Sequence, residues 1–243
     1  MNTAAPRPNT YRAAQTAPAS RARRAWPLLS IVHLAPNIAV IDKPAGLHSV
    51  PGRTEDKQDS IETRAREVFH EARGPLMAHR LDMETSGLMV LGLTRGSHRS
   101  LQRQFMSRKV GKGYVALLDG EPPGDEGKVE LPLTVDWENR PRQKVDFEEG
   151  RPAKTLWRVV EKTETQRGVV TRVSLRPVTG RTHQLRMHAA TPVARGGLGC
   201  PILGDTLYGD ARSAPRLMLH AATLAFWAPV SGTWLKFELP AGF

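Results

Sequence analysis

Asp82 stands in the segment His79-Arg80-Leu81-Asp82-Met83-Glu84-Thr85-Ser86-Gly87, a run dense in polar groups directly before the apolar residues 88–93. A carboxylate at the mouth of a buried strand can attack carbon or take a proton. It can also simply shape a turn, as Asp often does. Three further islands have the same density. Lys112-Gly113-Tyr114 opens a strand pattern, where a tyrosine usually packs its ring and leaves its hydroxyl at the rim. Gly180-Arg181-Thr182-His183-Gln184-Leu185-Arg186-Met187-His188 reads as a turn and a short helix that Thr182 could cap. Arg181, His183 and Arg186 crowd its positive end, where cations are unfavourable, which suggests an anionic partner. A solvated basic face fits the same residues. Leu203-Gly204-Asp205-Thr206-Leu207-Tyr208-Gly209-Asp210 is a turn-rich loop that proves nothing alone. His183, His188, Asp82 and Asp205 can be imagined as metal ligands, but no His-Glu-x-x-His or clustered carboxylate spacing joins them.

The elements that must position these islands follow from periodicity and punctuation. Residues 31–34 and 39–42 read as strands around the Pro36-Asn37 turn. Residues 43–59 form a polar loop, and Asp59 with Glu62 looks like a capping box that opens a helix to about Ala72. Residues 96–108 form a basic amphipathic helix with Leu101 and Phe105 four apart for the core. Strands are expected at 114–118, 129–135, 143–147, 155–160, 169–176, 217–226 and 234–239, and a helix at 182–190. Few helices and many strands predict an α+β fold on a mixed or antiparallel sheet.

The 243 residues suffice for one large domain or two small ones with a real core. A net charge of +11 makes a polyanion the first partner to consider, against the bland reading of a generally basic surface. Residues 1–26 contain Arg7, Arg12, Arg21, Arg23 and Arg24 and no acid, contributing +5 of that charge and leaving +6 on the rest. Such a segment is too poor in apolar residues to fold and is expected to be a disordered basic arm. An acid-free, Arg-rich start also resembles an organelle transit peptide, but no amphipathic stripe runs through it. The single cysteine, Cys200, excludes an internal disulfide and a multi-cysteine zinc site. No run approaches transmembrane length and no secretory h-region is present.

Together the islands resemble the RluA-type pseudouridine synthases. His-Arg-Leu-Asp-x-x-Thr-Ser-Gly at 79–87, Lys-x-Tyr at 112–114, Arg-x-His-Gln-Leu-Arg-x-His at 181–188 and Leu-Gly-Asp-x-x-Tyr at 203–208 follow the family's order. Ile41-Asp42-Lys43-Pro44-Ala45-Gly46-Leu47 fits its opening, and the resemblance runs from about residue 31 to the C-terminus. Ser49-Val50-Pro51-Gly52-Arg53, Asp136-Trp137-x-Asn139-Arg140-Pro141 and Gln143-Lys144-Val145 resemble the dual-specificity branch, which acts on tRNA and 23S rRNA. Related large-subunit enzymes usually carry an S4 RNA-binding domain. Residues 1–26 are too short for one, so the expected organisation is this arm followed by one catalytic domain over 27–243. Residues 191–200 look like a loop insertion, with consequences for substrate selectivity.

The resemblance implies a sheet core with flanking helices around a central cleft, and isomerisation of uridine in place. It makes Asp82 the catalytic carboxylate, Tyr114 the ring that stacks on uracil, and Arg186 the guanidinium that favours an ionised carboxylate. Arg80 fills the space vacated by the flipped nucleotide. Leu185 supports the base from its apolar side, and His79, Arg181 and His183 complete the substrate-binding set. The chemistry needs no metal and no cofactor. The implied partners are tRNA and 23S rRNA stem-loops, with no membrane and no obligate partner protein, for a monomer in the cytoplasm. Another branch of the family is the alternative. A non-catalytic RNA-binding protein or chaperone is the reading from another class, against which the set Asp82, Tyr114 and Arg186 stands.

Overall fold

The computed structural model describes residues 29–243; the expected basic arm lies outside the described residues. The fold is α+β, as the strand-rich pattern predicts. By its contacts the chain divides into two compact units. One takes the described residues up to Lys109 together with Phe226–Leu235, the other Val110–Ala225 with Lys236–Phe243.

In the first unit, β1 (Ser30–Ala35), β2 (Ile38–Lys43) and β3 (Ser86–Gly92) pair antiparallel in chain order. All of β3 is buried, which explains its unbroken apolar run. The helix α1 (Ile61–Val68) begins one residue later than the sequence suggests and ends earlier. Its cap is Ser60, whose Oγ accepts the Thr63 N–H at 3.1 Å, because the Asp59 carboxylate is drawn into a two-pronged pair with Arg64, both contacts 2.7 Å. The helix α2 (Arg95–Met106) starts at a reciprocal capping box between Thr94 and Ser97 and buries Leu101. It presses on β3 at Gly92, where a Cβ would lie 2.5 Å from the His98 backbone nitrogen.

The second unit contains β4 (Gly111–Asp119), β5 (Glu126–Glu130), β6 (Leu133–Val135), β7 (Gln143–Val145), β8 (Lys154–Thr165), β9 (Gly168–Pro177) and most of β10 (Leu219–Trp227). Its strands neighbour one another in the order β10-β4-β9-β8-β5, and β6 and β7 form a separate hairpin. The last strand, β11 (Trp234–Glu238), pairs with β10. Residues 129–135, expected as one strand, are two, because Pro132 has no N–H to offer a ladder. The helix α3 (Gln184–Ala190) packs Leu185 and Ala189 into a core with Trp157, Val173, Leu175 and Ile202. The expected insertion, residues 191–200, is no loose flap. Leu198 and Cys200 are buried in that core, and their N–H groups bond the carbonyls of His188 and Ala189 at 3.0 Å each. Its exposed stretch is residues 192–196.

Candidate active site

Asp82 lies in the loop entering β3, half-buried. The residues on either side of it are fixed by groups distant in sequence. Before it, the Ser49 hydroxyl donates to the Leu81 carbonyl at 2.6 Å and accepts the Leu81 N–H at 3.0 Å. After it, the Met83 carbonyl accepts from Lys43 Nζ at 2.8 Å and from the Gly46 N–H at 2.9 Å. Holding both neighbours restricts where the carboxylate can go without engaging the carboxylate itself.

Lys43 is the unexpected member. Its side chain is fully buried, and Nζ donates to the carbonyls of Pro44, Leu47 and Met83 at 2.7–2.8 Å. Burial pushes its pKa from 10.5 down to about 7, against the pull of Asp82 and Asp42, whose charges raise it. Three acceptors match the three N–H groups of the ammonium form. Lys43→Met should therefore orphan the carbonyls of Pro44 and Leu47, leave the Met83 carbonyl only its Gly46 contact, and loosen the Asp82 loop. We expect a loss of about 3 kcal/mol of stability, from unpaired buried acceptors, and slower turnover. Thermal melts and single-turnover rates check this; a variant with wild-type melting temperature and rate would leave Lys43 no role in holding the loop.

His79 and Arg80, expected at the substrate, differ in how they are used. His79 Nε2 accepts the Val90 N–H of β3 at 3.0 Å, and the ring stacks on Phe105 of α2 at 4.3 Å between centroids. Those contacts tie its loop to the first unit's core. Arg80 is exposed and borders a surface cavity of about 400 Å³, together with Glu62, Met77 and His79.

The second unit holds the remaining candidates. Tyr114 sits mid-sheet in β4, opposite Ala221 of β10 and Leu175 of β9, and packs against the core. Lys112, two residues earlier, is lowered in pKa by burial and reaches the Thr179 carbonyl at 3.5 Å, next to the Gly180-Arg181 turn. Gln184 organises that turn. Its Oε1 accepts from the Thr179 hydroxyl and the Arg181 N–H, and its Nε2 donates to the Lys154 carbonyl and to Thr155 Oγ1. Thr182 is not the cap of α3. His183 occupies that position in the left-handed conformation, φ 53°. Its Nδ1 lies 2.8 Å from the Tyr208 hydroxyl, which also accepts the Gln143 N–H at 2.7 Å. The Arg181 Nε donates to the Pro152 carbonyl at 3.2 Å. Leu185 is buried in the core.

Arg186 is 2% exposed and paired two-pronged with Asp205, Nε to Oδ2 at 2.9 Å and Nη2 to Oδ1 at 2.6 Å. Burial raises the Asp205 pKa, but the Arg186 guanidinium and the N–H groups of Leu207 and Tyr208 outweigh it and hold the carboxyl below its usual range. The pair fixes the plane of the guanidinium. Asp205 and Tyr208 are therefore the positioning residues that the bare loop sequence did not reveal. Their signal was the Leu-Gly-Asp-x-x-Tyr spacing: Asp205 Oδ1 accepts the N–H groups two and three residues on, so the turn and the ion pair share one carboxylate. His188, imagined as a ligand, is buried against Thr155 at 2.9 Å and lowered to a pKa of about 4 by burial. Among the described residues no three His, Cys, Asp or Glu side chains group as a metal site requires.

Residues 37–191 match the family model for RNA pseudouridylate synthase. The dual-specificity RNA pseudouridine synthase RluA of Pasteurella multocida (strain Pm70) is 46% identical over 220 residues, covering 89% of this chain and 95% of its own. Its namesake from Escherichia coli (strain K12) matches with the same identity and coverage. Among solved structures, human RNA pseudouridylate synthase domain containing 1 superposes with a TM-score of 0.70 at 29% identity, over 87% of this chain and 83% of that one.

Proposed function

This chain belongs to the RNA pseudouridylate synthase family, and we propose that it isomerises uridines in the loops of two short RNA hairpins, one in tRNA and one in 23S rRNA. In the reaction the N1–C1′ bond breaks, the uracil turns, and C5 bonds to C1′. The C5 proton leaves and N1 gains one, so no redox partner or phosphate energy is needed. Asp82 is the nucleophile or base at the nucleoside, and the clamp on Leu81 and Met83 is the observation that carries this role. Tyr114 stacks on the uracil. Arg186, aligned by Asp205, supplies positive charge, and Leu185 and His183 support the substrate from α3. Arg80, exposed beside its cavity, steadies the flipped nucleotide. We assign no metal or organic cofactor, a monomeric cytoplasmic enzyme, and a salt-sensitive RNA-binding role for the arm at residues 1–26.

Sequence-specific RNA recognition favours loops, whose bases splay out at low cost. Purified protein offered a minimal stem-loop from each RNA should form pseudouridine in both, with and without a chelator. Modification of one alone would make residues 192–196 the first suspect for narrowed selectivity. Modification of neither, with a larger ribosomal fragment modified, would overturn the stem-loop reading.

A further inference from the structure

The β6–β7 hairpin carries none of the motifs that supply the chemistry, yet its tip has the features of a contact. Between Val135 and Gln143 the chain turns through Asp136-Trp137-Glu138-Asn139-Arg140-Pro141-Arg142. The turn is well made. The Asp136 N–H bonds the Arg142 carbonyl and the Arg142 N–H bonds the Asn139 carbonyl, both at 3.0 Å, while the Asp136 carboxylate accepts from Asn139 Nδ2 at 3.0 Å. This turn holds Trp137 outward, 70% exposed. The Arg140 guanidinium lies 3.5 Å from the Trp137 ring centroid. It covers one face of the indole, and an exposure of 70% leaves the opposite face to water.

The turn carries two carboxylates, Asp136 and Glu138, beside its two guanidinium groups, but among the described residues no salt bridge joins them. Asp136 is engaged by Asn139, and Asp146 by Lys144 and the N–H groups of Glu148 and Glu149. Among the described residues neither Arg140 nor Arg142 has a carboxylate partner within salt-bridge distance, and both are exposed. An exposed aromatic face backed by the stacked Arg140 guanidinium, with a second exposed arginine, Arg142, in the same turn, suits single-stranded nucleic acid, which offers a π-face and a phosphate at every nucleotide. A protein partner would call for a broader apolar patch with charge kept to its rim.

We propose that Trp137 and Arg140 form an RNA-stacking platform, on which an unpaired loop base of the substrate stacks while Arg140 and Arg142 meet the flanking phosphates. This deepens the stem-loop reading above and rests on it for the identity of the RNA. The hairpin is anchored to the candidate site within its own unit. The Gln143 N–H donates to Tyr208 Oη at 2.7 Å, Tyr208 Oη contacts His183 Nδ1 at 2.8 Å, and the Tyr208 N–H donates to Asp205 at 3.0 Å. A base held on Trp137 is thereby registered against the Asp205–Arg186 pair rather than on a free loop.

The test is fluorescence anisotropy with the full chain, using both labelled stem-loops and a labelled single-stranded oligouridine, in parallel with turnover. Trp137→Ala should raise Kd and KM by roughly tenfold, the scale of one lost base–aromatic stack, and leave kcat within about twofold because a stacking platform contributes to binding rather than to the bond changes. Trp137→Phe should retain most of the affinity, and the melting temperature should not move. An abasic scan of the stem-loop should find one position at which removing the base weakens wild type but not Trp137→Ala. Unchanged Kd in Trp137→Ala on all three RNAs, or additive losses at every abasic position, would overturn the platform. Wild type that binds the stem-loops without modifying them counts against the substrate reading instead, and the Kd comparison still decides the platform.

Discussion

Asp82→Asn protein should form pseudouridine at least roughly 10⁴-fold more slowly than wild type, the scale seen when a group acting directly on the reacting atoms is removed. Asn has nearly the same shape, and the contacts that fix this loop run through the backbone of Leu81 and Met83 to Ser49, Lys43 and Gly46. The loop should therefore keep its place while the negative charge disappears. Lys43 loses one of the two carboxylates that raise its pKa and should become easier to deprotonate. RNA affinity should stay within a few-fold, because phosphate contacts dominate it. Gel-shift affinity and a tritium-release or mass-spectrometric assay on the same preparation separate the two effects. Substantial pseudouridine formation by purified Asp82→Asn protein would take Asp82 out of the chemistry.

Asp205→Ala should be the most destabilising single change at the candidate site. Its carboxylate and the Arg186 guanidinium are 0% and 2% exposed, so removing one leaves the other charged, buried and unpaired. Breaking such a pair costs about 3–5 kcal/mol, or about 10 °C in melting temperature for a chain of this size. The turn at Leu207 and Tyr208 loses its acceptor in the same stroke. The double variant Arg186→Met, Asp205→Ala removes both charges and should recover much of that stability. On the proposed role of Arg186 as the positioned positive charge, it should remain inactive. A single variant that melts with wild type would show that Asp205 is not the anchor of Arg186. A double variant with wild-type turnover would remove Arg186 from catalysis and leave the pair a structural one.

Local order was legible in the sequence wherever neighbours decide it. The helix expected at 96–108 lies within two residues of α2 because its Leu101 and Phe105 spacing falls inside one short stretch. The strand before α2 was found because β3 is buried on both faces and reads as one apolar run. Errors came where a side chain had a better offer elsewhere. Asp59 left the cap of α1 to Ser60 by pairing with Arg64. Thr182 left the cap of α3 because Gln184 and its four partners fix that turn in another geometry.

The sequence by itself determined the family, the order of the motifs and the candidate carboxylate. Those are properties of residue type and spacing along one chain, and a motif survives as a string even when its partners are far away. Tertiary structure alone decided which groups hold the candidates. Lys43 reaches Met83 across 40 positions, Ser49 reaches Leu81 across 32, and Arg186 meets Asp205 across 19. It also decided that residues 191–200 pack against α3 rather than stand free, because burial of Leu198 and Cys200 depends on a core assembled from six other segments of chain. Pairings of that kind are set by the free energy of leaving no buried donor, acceptor or charge alone. That constraint acts between surfaces brought together by folding, and spacing along a chain carries no trace of it.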